Sequence, residues 1–106
     1  MLIIPVSGNI LTRRYKRMEV TDIKIRLVSP TDQLRAFATV VFDSVLVVHN
    51  IKIVSTGDKL IIAMPSRQVH NGEYKDIVHP ITSDFRSQLS DKVLRAYRDE
   101  LAREGR

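Results

Sequence analysis

The sequence contains no cysteine and no tryptophan, and only four glycines and four prolines among its 106 residues. Without cysteine, neither a disulfide framework nor a thiolate zinc site can form, and a reducing compartment is compatible. No segment approaches the roughly 20 apolar residues that a membrane-spanning helix needs. With 43% hydrophobic and 27% charged residues, the composition is also far from that of disordered or fibrous chains. We therefore expect a globular cytoplasmic protein without membrane insertion.

Positive charge is concentrated at the beginning of the chain. The formal net charge is +5, but residues 1–17 hold four basic residues and no acidic one. From Met18 onward, thirteen basic residues face twelve acidic ones, a net charge of only +1. The length allows one hydrophobic core. We predict a flexible basic extension over residues 1–17 and a single domain over residues 18–106, whose bulk charge alone does not make it a nucleic-acid binder.

Apolar and polar residues alternate with a period of two through the first part of the domain. In residues 20–28, Ile23, Ile25 and Leu27 fall on one face and Asp22, Lys24 and Arg26 on the other. Turn residues at Asp43-Ser44 and Asn71-Gly72 favour hairpins between such segments. The pattern predicts five strands, at residues 20–28, 34–42, 45–54, 59–64 and 74–79.

The period changes to three or four residues from Thr82 onward, which predicts an amphipathic helix. Its apolar stripe consists of Phe85, Leu89, Val93, Ala96, Tyr97 and Leu101. Ser83 or Asp84 is expected to cap the amino terminus, and Gly105 to take the left-handed position after the last turn. All strand connections are too short for crossovers. The predicted fold is therefore α+β: an antiparallel meander of about five strands with the C-terminal helix packed on one face.

One helix cannot cover both faces of such a sheet. Simple alternation leaves apolar side chains on the second face, namely Phe37, Val41, Leu46, Val48, Val54 and Ile61. Large apolar patches are rare on soluble monomers, so we expect a homodimer that buries this face or extends the sheet at an open edge.

Several ordered segments resemble the stage V sporulation protein G (SpoVG) family. They are Met18 to Asp22, Val47 to Ile51, Ala63 to Arg67, Gly72 to Ile77 and His79 to Ile81. The resemblance covers residues 18 to about 104. It implies a dimeric regulator that binds DNA and RNA, influences septum formation, sporulation and gene expression, and requires no cofactor. Family members commonly carry two adjacent basic residues where this chain has Arg67 and neutral Gln68, which predicts weaker phosphate affinity at this loop.

The resemblance directs attention to four residues as a nucleic-acid-binding site: Arg67, Gln68, Lys75 and Arg86. The three basic residues could converge on one surface, where arginine grips phosphate or reads guanine and lysine adds a point charge. Gln68 could hydrogen-bond an adenine edge. The alternative is that all four are ordinary solvated surface. The helix itself carries charges of mixed sign, a pattern typical of a solvent-exposed face.

No catalytic or metal-binding motif emerges from the remaining polar residues. His49, His70 and His79 lack the spacing of zinc ligands, and His49 is expected in the interior or at the dimer interface. Ser66, Asp76 and His79 match the residue types of a hydrolase triad but come without a nucleophile elbow. We therefore expect no enzyme, no metal and no small-molecule substrate. The alternative function is a protein-interaction module of cell division or envelope regulation, with only incidental nucleic-acid binding.

Overall fold

The computed structural model describes residues 18–29 and 33–105; the predicted extension at residues 1–17 lies outside the described residues. Within them, the elements in chain order are β1 (Val20–Leu27), β2 (Leu34–Phe42), β3 (Leu46–Thr56), β4 (Lys59–Ala63), β5 (Ser66–Gln68), β6 (Tyr74–Asp76) and α1 (Ser83–Glu104). β1 to β4 form an antiparallel sheet in sequence order, and β5 and β6 form a separate two-stranded sheet. The predicted α+β class, with a meander followed by a C-terminal helix, is confirmed.

The predicted fifth strand is shorter than expected and does not join the meander. It was predicted over residues 74–79, whereas β6 ends at Asp76 and pairs with β5, a strand that the pattern missed. Pro65 ends β4 because proline cannot donate a ladder hydrogen bond. Its carbonyl accepts from the Ile77 N–H at 2.8 Å, which closes the base of the β5–β6 hairpin.

The core lies between α1 and one face of the four-stranded sheet, which we call the inner face. Alternate residues of β2 and β3 point into it, and three helix residues meet them. The buried set is Ala36, Ala38, Val40, Phe42, Ile51, Ile53, Leu89, Val93 and Tyr97. Burying one large aliphatic side chain contributes about 1.5–3 kcal/mol, so this layer supplies most of the driving force that docks the helix. No helix in the described part of the chain is long and apolar enough to cross a membrane.

A β-bulge in β3 changes which residues face the core. Ala38 pairs with Ile51 and Val40 pairs with Val48, so two residues of β3 lie opposite the single residue Thr39 of β2. Asn50 is one of them, and its φ of 63° is a left-handed conformation that asparagine tolerates better than branched residues.

The extra residue makes the prediction for Leu46 and Val48 wrong. Because directly paired residues share a face, Leu46 lies on the inner side with its partner Phe42, and Val48 lies there with Val40. The opposite face, the outer face, keeps Phe37, Val41, Val54 and Ile61 as predicted. The same register places Val47 on this face opposite Val41, so the outer face loses two of the predicted apolar residues and gains one.

Both ends of α1 are capped, although one cap differs from the prediction. Thr82 is the N-cap, with φ −120° and ψ 147°, and its Oγ1 accepts from the Phe85 N–H at 3.1 Å. Ser83 and Asp84 are instead the first two helical residues, where Asp84 interacts favourably with the helix dipole. Gly105 has φ 77° and takes the predicted left-handed position.

Candidate nucleic-acid interface

The β5–β6 hairpin carries three of the four residues that were predicted to bind nucleic acid. The Val69 N–H donates to the Glu73 carbonyl at 2.8 Å, and the Gly72 N–H donates to the Val69 carbonyl at 3.0 Å. Gly72 adopts φ 85°, which an L side chain rarely adopts. The loop therefore has three residues, with the glycine in the left-handed position that such hairpins require.

Arg67 and Lys75 are neighbours across this hairpin. They form a directly opposed pair in the register, so their side chains leave from the same face with Cβ atoms about 5 Å apart. Both residues are exposed. Asp76 pairs with Ser66, one position along, and therefore points to the opposite face of the hairpin. The pair presents two adjacent cations on one surface.

Neither cation is engaged in an ion pair within residues 18–29 and 33–105. The ion pair found there joins Arg103 to Glu100, one turn apart on α1, at 2.8 Å. The guanidinium of Arg67 and the ammonium of Lys75 thus keep their donors for water or for a ligand. An anion that approaches this face meets two cations that form no ion pair with a carboxylate of the described residues.

Gln68 has a different position from the two cations. It pairs with Tyr74 on the other face of the hairpin, and its Nε2 donates to the Gly72 carbonyl at 3.2 Å. The side chain therefore holds the loop closed. Tyr74 beside it is 69% exposed, which leaves an aromatic ring on the surface opposite Arg67 and Lys75.

Arg86 is held at the approach to the helix. One of its guanidinium nitrogens donates to the carbonyl of buried Pro80 at 3.2 Å. His79 contacts the same carbonyl through Nδ1 at 3.0 Å. The structure brings Arg67 and Lys75 together, while the described contact of Arg86 is with this loop and not with the pair.

A second basic surface, on the outer face of the sheet, was not recognised from the sequence. Arg26, Phe37 and Lys52 occupy one row across three adjacent strands, and Lys24 lies in the next row opposite Thr39. The Arg26 Cζ atom lies 4.7 Å from the centre of the Phe37 ring. Alternation in β1 predicted the side of Lys24 and Arg26, but only the strand register places Lys52 beside them.

An apolar groove of about 600 Å³ opens on the inner side, next to the first turns of α1. The bulge supplies one of its walls, since Leu46 and Val48 line it together with Phe42. Phe42 contacts Phe85 with ring centroids 5.9 Å apart. Ile81, at the rim, is 89% exposed.

The histidines form no metal site in the described parts of the chain, where no three His, Asp or Glu side chains come close enough to hold an ion. His49 is exposed and lies in the bulge, so the first predicted alternative, an interior position, is wrong, while a place at a dimer interface stays a prediction. The bulge explains this because it removes the residue from the regular alternation of β3.

Comparisons with known proteins find one family that this chain resembles over most of its length. The family model described as SpoVG matches residues 18–99. A septation protein SpoVG from Treponema denticola is 44% identical over 80 residues, which cover 76% of this chain and 86% of that protein. One from Heliobacterium modesticaldum is 44% identical over 85 residues, covering 80% and 96% respectively. One from Acholeplasma laidlawii is 38% identical over 84 residues, covering 79% and 89%.

Proposed function

The chain belongs to the SpoVG family of septation proteins, and we propose that it is a non-catalytic regulator that binds DNA and RNA as a dimer. In this role it influences septum formation, sporulation and gene expression. The observation that carries the proposal is the exposed pair of Arg67 and Lys75 on one face of the hairpin, without a carboxylate partner in the described fold.

Phosphate is the ligand that best fits this pair. Arginine offers a planar fork of donors that can grip two phosphate oxygens, and lysine adds a mobile point charge beside it. Two adjacent cations on this separate hairpin can follow a nucleic-acid backbone, and such phosphate contacts supply affinity but little sequence information. The Ile77–Pro65 hydrogen bond closes the base of the hairpin, and the Gln68 side chain bonds across its tip.

Binding should be measured by fluorescence anisotropy, with the full chain titrated into labelled mixed-sequence RNA, single-stranded DNA and duplex DNA. Each phosphate contact lowers the slope of log K against log salt by about 0.9 for duplex DNA and 0.7 for single strands. Two hairpin contacts therefore predict a slope of about −1.8 or steeper for duplex DNA. No binding at low salt, or binding that salt leaves unchanged, would contradict the proposal.

The apolar groove favours a second function, in which the chain docks on a division or envelope protein. An interface of this kind depends on apolar burial, so its affinity should vary little with salt. The same salt series, repeated with a division protein in place of the oligonucleotide, therefore distinguishes the two functions by how strongly the affinity depends on salt.

The groove also supports the proposed homodimer, because it gathers exposed apolar side chains that a second copy can cover. We expect a dimer at micromolar concentration in sedimentation experiments. Ile81→Asp, at the rim of the groove, should give a monomer because it places a charge in the buried contact. Ile61→Asp introduces the same charge on the outer face and should leave the dimer intact. A stable wild-type monomer, or dissociation by Ile61→Asp alone, would contradict this arrangement.

A further inference from the structure

The outer face of the sheet combines an aromatic ring with cations on both sides of it. Phe37 lies in the middle of the row, with Arg26 on one neighbouring strand and Lys52 on the other. The Arg26 guanidinium lies over the ring, with Cζ 4.7 Å from the ring centre. Lys52 lies on the other neighbouring strand, about 4.8 Å away. The ring is half-buried, while Lys24, Arg26 and Lys52 are exposed.

We propose that this outer face binds single-stranded nucleic acid, with the stacked pair of Phe37 and Arg26 as a platform for bases. Lys24, Lys52 and the charge of Arg26 attract the phosphates. The proposal rests on the proposed function and adds a second contact surface to the hairpin. Unstacked bases pack on aromatic rings whatever their sequence, and flanking cations follow the backbone. A duplex keeps its base faces stacked inside, so it cannot offer one to Phe37.

Charge argues against a second copy as the occupant of this face. In a two-fold symmetric dimer the same patch lies against itself, so Lys24, Arg26 and Lys52 would face a second set of the same three cations. Like charges facing each other oppose association. Among the residues of β1 that point to the outer face, Asp22 is acidic. It lies opposite Val41 and not in the row that contains Phe37. A nucleic acid, in contrast, carries negative charge, so each of the three cations attracts it.

The chain has no tryptophan, so Phe37→Trp provides a single fluorescent reporter in the full-length protein. Titration with oligothymidylate should give a saturable loss of tryptophan emission, with the same midpoint as the anisotropy of the labelled oligonucleotide. A duplex of equal length should bind through the hairpin and change the emission little.

Charge removal tests the phosphate contacts separately. The triple variant Lys24→Gln, Arg26→Gln, Lys52→Gln should raise the Kd for oligothymidylate at least about tenfold and flatten the salt slope by about two. Its Kd for duplex DNA should rise less. Lys92→Gln, Arg95→Gln, Arg98→Gln removes the same charge from exposed positions of α1 and serves as the matched control. Circular dichroism should show that both variants remain folded.

Three outcomes would overturn the inference. If the oligonucleotide binds but neither the emission nor the triple variant responds, the surface is wrong while nucleic-acid binding stands. If the emission shifts with protein concentration before any oligonucleotide is added, a second copy covers the face. If no nucleic acid binds to the parent chain, this surface and the proposed function both fail.

Discussion

Replacing Arg67 and Lys75 with alanine is expected to weaken binding to every nucleic acid by about 30-fold, or roughly 2 kcal/mol for the pair. Both side chains donate charge-assisted hydrogen bonds that the nucleic acid would lose. The loss should be nearly independent of base sequence, because phosphate contacts carry no sequence information. Unfolding free energy should stay within about 0.5 kcal/mol of the parent, since both residues are exposed. Anisotropy and urea denaturation of the same preparations measure the two quantities.

The control for this experiment removes the same charge elsewhere. Arg95 and Arg98 are exposed on α1, and Arg95→Ala, Arg98→Ala lowers the net charge by the same amount. A localised site predicts that this control binds within about threefold of the parent, because neither arginine lies on the hairpin and exposed charges are screened over about 8–10 Å. Equal losses in both double variants would show that binding depends on diffuse electrostatic attraction and not on the hairpin.

Deletion of Asn50 is expected to destabilise the fold by about 3 kcal/mol or more, because it removes the residue that creates the bulge. Without it, β3 alternates continuously. Either Leu46 and Val48 move to the outer face, or Ile51 and Ile53 leave the core. The first solution exposes the half-buried Val48, and the second exposes Ile51 and Ile53, which are fully buried in the core. Urea denaturation monitored by circular dichroism measures the change.

Two substitutions at the same position separate the bulge from its side chain. Asn50→Gly keeps the extra residue and accepts the positive φ, so its stability should lie within about 0.5 kcal/mol of the parent. Asn50→Val places a β-branched residue at φ 63° and should cost about 1–2 kcal/mol. If the deletion were as stable as the parent, the assignment of Leu46 and Val48 to the inner side would be wrong.

The sequence predicts most of this fold because its two periodicities are clear. Alternation through β1 and β2 and the apolar stripe of α1 reflect the inner face directly, since these elements have a single buried side. β5 escaped prediction because Ser66, Arg67 and Gln68 are all exposed and show no alternation. The bulge in β3 was also missed, because an almost continuous apolar run shows no alternation from which a change of face could be read. The asparagine within that run was the available signal, since asparagine tolerates the left-handed conformation of a bulge.

The candidate site was predictable to a smaller extent. The pairing of Arg67 with Lys75 depends on the three-residue loop over residues 70–72. A two-residue turn at Asn71-Gly72, which the sequence favours, would place Arg67 opposite Asp76 instead. The position of Arg86 did not follow, because its hydrogen bond to Pro80 depends on how the chain enters the helix. The basic row on the outer face could not be predicted, because Lys52 joins it only through the register of three strands. That register is a tertiary property, which the local sequence pattern does not contain.

The central claim is that nucleic acid contacts the hairpin formed by β5 and β6. Chemical-shift mapping tests it most directly, with the isotope-labelled full chain titrated with a short mixed-sequence single-stranded DNA at low salt. The account predicts progressive shifts of the backbone amides of Arg67 and Lys75, which disappear when the salt concentration is raised. Shifts confined to the later turns of α1, or to the rim of the apolar groove, would contradict it.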